Sequence, residues 1–182
     1  MYQSILVPLD GSKQAESALL LASKLARIYN AELTLLRVVE YPIEMYARCA
    51  ATTFAHPGQP NERLLAEKDV FCKEAEEYLQ RLVSIVEMNV ANVSIEIQEY
   101  PVVEAMLSTV LKFDIDLIVM SSIGQNHNSW MMGAITNRIL REAPVPVILF
   151  RKESWVSLPD RSYPQETSKQ DGAWLHPDTL ST

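Results

Sequence analysis

Short apolar runs of strand length alternate with stretches of helical periodicity along most of this chain, and that alternation constrains the fold more than any other feature. Residues 4–9 (SILVPL) form the first run. Asp10-Gly11-Ser12 follows as a turn with a helix-capping residue. Ala15, Ala18, Leu19, Ala22, Leu25 and Ala26 then recur at helical spacing until Asn30 ends the helix. Residues 32–39 (ELTLLRVV) read as the second strand. The stretch 40–61, with Pro42, Pro57, Gly58 and Pro60, predicts a long loop that is either functional or mobile. A helix is predicted over 62–88, with Leu64, Phe71, Ala75, Tyr78, Leu82 and Ile85 on its apolar face.

The second half repeats the scheme. Residues 92–98 (NVSIEIQ) alternate polar and apolar, as a strand near a sheet edge does. Pro101 opens a helix whose inward stripe is Val103, Met106, Leu107 and Val110. The near-continuous apolar run 115–121 (IDLIVMS) predicts a strand covered on both faces. A polar loop, Ser122 to Ser129, leads to a helix over Trp130–Glu142 with Ile135 and Ile139 inward. The last strand is 145–150 (VPVILF), which Pro146, having no N–H, assigns to a sheet edge.

Strands interleaved with helices demand a parallel sheet with helices on both faces, and right-handed crossovers make it doubly wound. The predicted fold is therefore α/β, a Rossmann-like five-stranded parallel sheet of order 3-2-1-4-5. That order reverses between the strands ending at Leu9 and Ser121, so a ligand belongs in the crevice beyond those two ends. Residues 1–150 constitute this domain. Residues 151–182 form an irregular extension rich in Pro, Ser and Asp. Trp155, Leu158, Tyr163, Trp174 and Leu175 are ill suited to a wholly solvated tail, so docking of the extension is expected.

Charge narrows the partners. A net charge of −7 argues against a sequence-independent grip on nucleic acid and against attraction to an anionic membrane. No run is long and apolar enough for a membrane span, and a first strand starting almost at Met1 leaves no room for a signal peptide. The expected location is the cytoplasm. Cys49 and Cys72 lack metal-pair spacing, and His56, His127 and His176 are scattered, so no metal site is expected. The chain has no Gly-Lys-Ser/Thr phosphate loop, no nucleophile elbow and no His-Glu-x-x-His motif, and no catalytic residue is assigned.

Several segments together resemble the universal stress protein family. They are Ile5-Leu6-Val7-Pro8-Leu9-Asp10-Gly11-Ser12, Leu35-Leu36-Arg37-Val38-Val39 and Asp116-Leu117-Ile118-Val119-Met120, then Trp130-Met131-Met132-Gly133, Ile139-Leu140-Arg141 and Ala143-Pro144-Val145-Pro146-Val147. The resemblance spans residues 1–150. It implies a dimer through Val145–Phe150 and, in nucleotide-binding members, an adenine nucleotide (AMP, ADP or ATP, with Mg). Those members carry a loop of the form Gly, two residues, Gly, nine residues, Gly, then Ser or Thr. Glycines let backbone N–H groups approach phosphate, and the following helix start favours its negative charge.

This sequence departs from the loop in three places. Ser121 stands for the first Gly, eight residues rather than nine separate Gly124 from Gly133, and Ala134 stands for the hydroxyl residue. A Gly usual before the third helix is replaced by Glu99-Tyr100 ahead of Pro101. His127 or Asn128 offers a compensating donor to phosphate. The other end is better preserved: Asp10 matches the acidic residue by the ribose or metal-phosphate region, and the Val38 backbone matches the position that meets the adenine edge. Pro8, Leu9, Met120 and Ile135 complete the expected lining. Two readings follow, a weak nucleotide holder in stress response or signalling and a nucleotide-free interaction module of the same fold. A slow nucleotide hydrolase ranks behind both, because no base is evident beyond Asp10.

Overall fold

The computed structural model describes residues 1–55, 61–87, 90, 92–122 and 133–151. Ten elements run in chain order: β1 (Ser4–Pro8), α1 (Lys13–Tyr29), β2 (Glu32–Val39), α2 (Ile43–Ala55), α3 (Glu62–Val86), β3 (Val93–Glu99), α4 (Val102–Lys112), β4 (Leu117–Ser121), α5 (Ala134–Glu142) and β5 (Val147–Phe150). The five strands form one parallel sheet of order β3-β2-β1-β4-β5, as the alternation predicts. β3 and β5 are its edges.

Side-chain alternation along the strands divides the core between two faces. Ile5, Val7, Leu33, Leu35, Leu117 and Val119 point toward α1 and α3, which cover them with Ala18, Ala22, Leu79 and Leu82. Leu6, Leu36, Ile118 and Met120 point the other way, against Val103, Met106 and Val110 of α4 and Ile139 of α5. The central β1 and β4 run apolar at consecutive positions because helices cover both faces. Each fully buried Leu or Ile contributes about 1.5–3 kcal/mol by leaving water.

Three sequence-based expectations are corrected. Residues 40–61 do not form one continuous loop, because Ile43–Ala55 is the helix α2. Its carbonyl-side start at Pro42 accepts from the N–H groups of Met45 and Tyr46, and Met45 packs with Tyr41, Val39 and Ala75 in a small satellite core. Prolines at both ends of the stretch masked an Ala-rich interior that favours helix.

The second correction concerns α3. Its buried residues are Ala75, Leu79, Leu82 and Val86, whereas Ile85 is 63% exposed. A stripe drawn every 3.5 residues drifts about 20° per heptad against a straight helix. Between Leu64 and Ile85 that drift rotates the apolar seam onto Val86.

The third is in α5, where Thr136 and Ile139 are buried and Ile135 is 42% exposed. The buried pair three residues apart centres the inward face between them and turns Ile135 outward. Residues 130–132, predicted as part of this helix, lie outside the described residues.

Candidate functional site

The crevice predicted at the point of strand reversal starts where the ladders stop. β1 pairs with β4 only at Ile5↔Leu117 and Leu6↔Ile118, so Met120 and Ser121 lie past the last shared rung and pair instead with Leu149 and Phe150 of β5. On its other side β1 pairs with β2 as far as Pro8↔Leu36. One further bond, from the Leu9 N–H to the Leu36 carbonyl at 2.8 Å, closes that ladder. Along β2 the backbone groups of alternate residues face the same neighbour, so Val38, two on from Leu36, turns its N–H and C=O toward the β1 side beyond the end of β1. Val38 itself is half-buried and packs on the α4/α5 face.

The β1–α1 corner is tied down by its own side chains. Asp10 Oδ1 accepts from the Ser12 N–H at 2.9 Å, and Ser12 Oγ accepts from the Ala15 N–H at 3.1 Å, capping α1. Gly11 between them has φ +86°, a left-handed conformation that favours glycine. Below the turn, Arg37 Nη1 donates to the Leu9 carbonyl at 3.2 Å, and its guanidinium lies 6.0 Å from the Tyr78 ring centre. Tyr78 donates to Glu16 Oε1 at 3.2 Å, and burial followed by the Glu16 charge pushes its phenol well above the ordinary value.

The start of α5 is built differently. Gly133 is its N-cap and makes no side-chain capping bond, and Ala134 and Ile135 are exposed beside it. Gly133 has φ −59° and ψ 151°, an ordinary extended conformation, and a Cβ there would meet only Thr136 Oγ1 at 3.9 Å. Neither backbone strain nor crowding among the described residues requires glycine at this position. At the end of β4, Ser122 donates its N–H to the Phe150 carbonyl at 3.1 Å. Its buried Oγ has no hydrogen-bond partner among the described residues.

Of the residues expected in the site, Pro8, Leu9, Asp10, Val38, Met120 and Ser121 therefore lie at the carboxyl ends of β1, β2 and β4, and Gly133, Ala134 and Ile135 at the start of α5. Leu9 and Met120 are buried and act as floor rather than as open contacts. Gly124 and His127 lie outside the described residues. Among those residues, no group of three or more His, Cys, Asp and Glu side chains could hold a metal ion, and no helix is long and apolar enough to cross a membrane.

Sequence reasoning passed over Arg37, whose signal is a lone cation inside the apolar run Leu35–Val39. It also passed over a cleft of about 180 Å³ between α2 and α3, lined by Arg48, Thr52, Asn61 and Glu67. That cleft is already internally paired: Arg48 forks onto Glu67 and holds its carboxyl below the ordinary range.

The universal stress protein family model matches residues 1–151. The chain belongs to that family. Solved structures agree in fold. A universal stress protein UspA from Lactobacillus plantarum is 25% identical, with a TM-score of 0.65 over 82% of this chain and 98% of its own. A universal stress protein in complex with cAMP is 16% identical, TM-score 0.61, over 84% and 99%. One from Archaeoglobus fulgidus in complex with dAMP is 19% identical, TM-score 0.54, over 82% and 98%. No curated protein matches the sequence.

Proposed function

We propose that this universal stress protein family member binds an adenine nucleotide weakly in the cytoplasm, in the crevice beyond β1, β2 and β4. The observation that carries the reading is the pair of open ends there: the Val38 backbone, past the last rung of the β1–β2 ladder, and the α5 N-terminus, which has no side-chain cap. Val38 offers a donor and an acceptor to the adenine edge, and Asp10 accepts from ribose. The α5 N–H groups attract phosphate, and the sequence expectation adds Gly124 and His127, which lie outside the described residues. Related proteins in complex with cAMP and dAMP support the adenylate class. Without an acidic cluster among the described residues, magnesium arrives with the phosphates rather than in a protein cage.

Discrimination between AMP, ADP and ATP is small. The departures from the family loop (Ser121, the short spacer and Ala134) all fall at the phosphate end, and ATP depends on that end most. A tenfold preference is only about 1.4 kcal/mol, the scale of one or two hydrogen bonds. Calorimetry on the full chain with the three nucleotides, with and without magnesium, tests this. The companion variant inserts one Gly after His127 and carries Ser121→Gly and Ala134→Ser, and it should gain affinity for ATP. Strong, ATP-selective binding by the unmodified chain would overturn the weak-binding reading. Absence of binding in both proteins favours the nucleotide-free interaction module, which the shortened loop already suggests.

The same reading includes a homodimer through Val145–Phe150. Among the described residues β5 pairs only with β4, and the Pro146 and Phe150 carbonyls face that neighbour, so the Val147 and Leu149 backbones face outward. Val147→Asp would set like charges across the paired edges, and light scattering should then report a monomer.

A further inference from the structure

We infer that Arg37 is a positioning residue for the ribose end of this site: by holding the Leu9 carbonyl it sets the peptide plane from which Asp10 is presented. The inference rests on the nucleotide reading above. β1 stops pairing at Pro8, and the next residue would leave its backbone groups without a ladder. Leu9 nevertheless has both groups tied. Its N–H donates to the Leu36 carbonyl at 2.8 Å, and its carbonyl accepts from Arg37 Nη1 at 3.2 Å. The guanidinium thus takes the place of a strand N–H one rung past the ladder's end.

The consequence for Asp10 is geometric. The Leu9 carbonyl and the Asp10 N–H belong to one planar peptide unit, so holding the oxygen fixes the plane and the Asp10 Cα with it. The Asp10 carboxylate is then held from the other side by the Ser12 N–H at 2.9 Å. Gly11 lies between these two anchors in the left-handed region, with the Arg37 guanidinium 3.8 Å from where its Cβ would be. Arg37 is itself backed by the Tyr78 ring of α3, which hydrogen-bonds Glu16 in the first turn of α1. A flat, rigid donor fork suits a carbonyl on one side and a ring on the other better than a flexible amine does.

The test uses the full chain as Arg37→Met and Arg37→Lys, with AMP and adenosine as probes. Calorimetry gives affinity, thermal unfolding gives stability, and amide hydrogen exchange without ligand reads Gly11 and Ser12. Arg37→Met should weaken AMP and adenosine alike by about tenfold, the scale of one hydrogen bond to a charged group, and leave the AMP-to-ATP ratio unchanged. Exchange at Ser12 should speed up by a similar factor, on the order of tenfold, as its acceptor loosens. Arg37→Lys, which can still donate to the carbonyl, should recover part of both effects. A lower unfolding midpoint in Arg37→Met with AMP affinity and Ser12 exchange unchanged would overturn the inference, leaving Arg37 a packing residue. So would a Lys variant no better than Met. A wild-type chain that binds neither AMP nor adenosine defeats the nucleotide reading itself, and the ligand role of Arg37 falls with it even if Ser12 exchange responds.

Discussion

The start of α1 and the start of α5 both follow strands that end at the crevice, yet they satisfy their backbone in opposite ways. At α1 the chain supplies its own partners: Ser12 and Asp10 accept from backbone N–H groups, and Arg37 donates to the carbonyl just before them. At α5 the N-cap is Gly133, which makes no side-chain capping bond among the described residues. The first corner is tied by its own hydrogen bonds. The second carries no such cap among the described residues, the arrangement that the proposed nucleotide reading asks of a helix start. A site that pairs a closed corner with an open one can hold a fixed base and ribose while leaving the phosphate end adaptable.

The largest expected effect comes from the glycines. Gly11→Val forces a β-branched residue into φ +86° and should cost about 1–3 kcal/mol in urea unfolding. Gly133→Ala should cost less, about 0.5 kcal/mol, because its backbone is already ordinary and only the N-cap preference for Gly over Ala is lost. Equal losses at both positions would break the comparison. Next, Ser12→Ala should cost about 1 kcal/mol by removing the cap on α1.

The converse change, Gly133→Asp, should gain a few tenths of a kcal/mol by capping α5. It should also weaken AMP binding severalfold, since the new carboxylate occupies the anion's place. Calorimetry showing unchanged affinity would mean that the α5 start is not the phosphate end. The smallest effect lies on the outer surface of α5, where Arg138 pairs with Glu104 of α4 at 2.8 Å. Their hydrogen bond holds the Glu104 carboxyl below its ordinary value. Stability from a lowered carboxylate is complete above the ordinary range and is lost as pH falls through the lowered value. The midpoint gap between wild type and Glu104→Gln should therefore be small at neutral pH and close in acid; a gap that widens in acid would contradict the pairing.

The sequence by itself determined the strand order, the edge position of β5 and the Asp10-Gly11-Ser12 corner. These rest on local patterns: apolar runs of strand length, a proline without an N–H, and a capping residue one step before a periodic helix. It also determined where the strand order reverses, between β1 and β4, because topology alone sets that point. The tertiary structure decided the rest. The place of α2 depends on Met45 meeting Ala75 of α3, which lies outside any local window, as well as the nearby Val39 and Tyr41. Ile85 and Ile135 turn outward because the inward face of a helix is set by the surface it meets. Arg37 reads from sequence only as an odd cation in a strand. Its role depends on where β1 stops relative to β2, and that register is a matter of two strands meeting in space, which neither strand encodes alone.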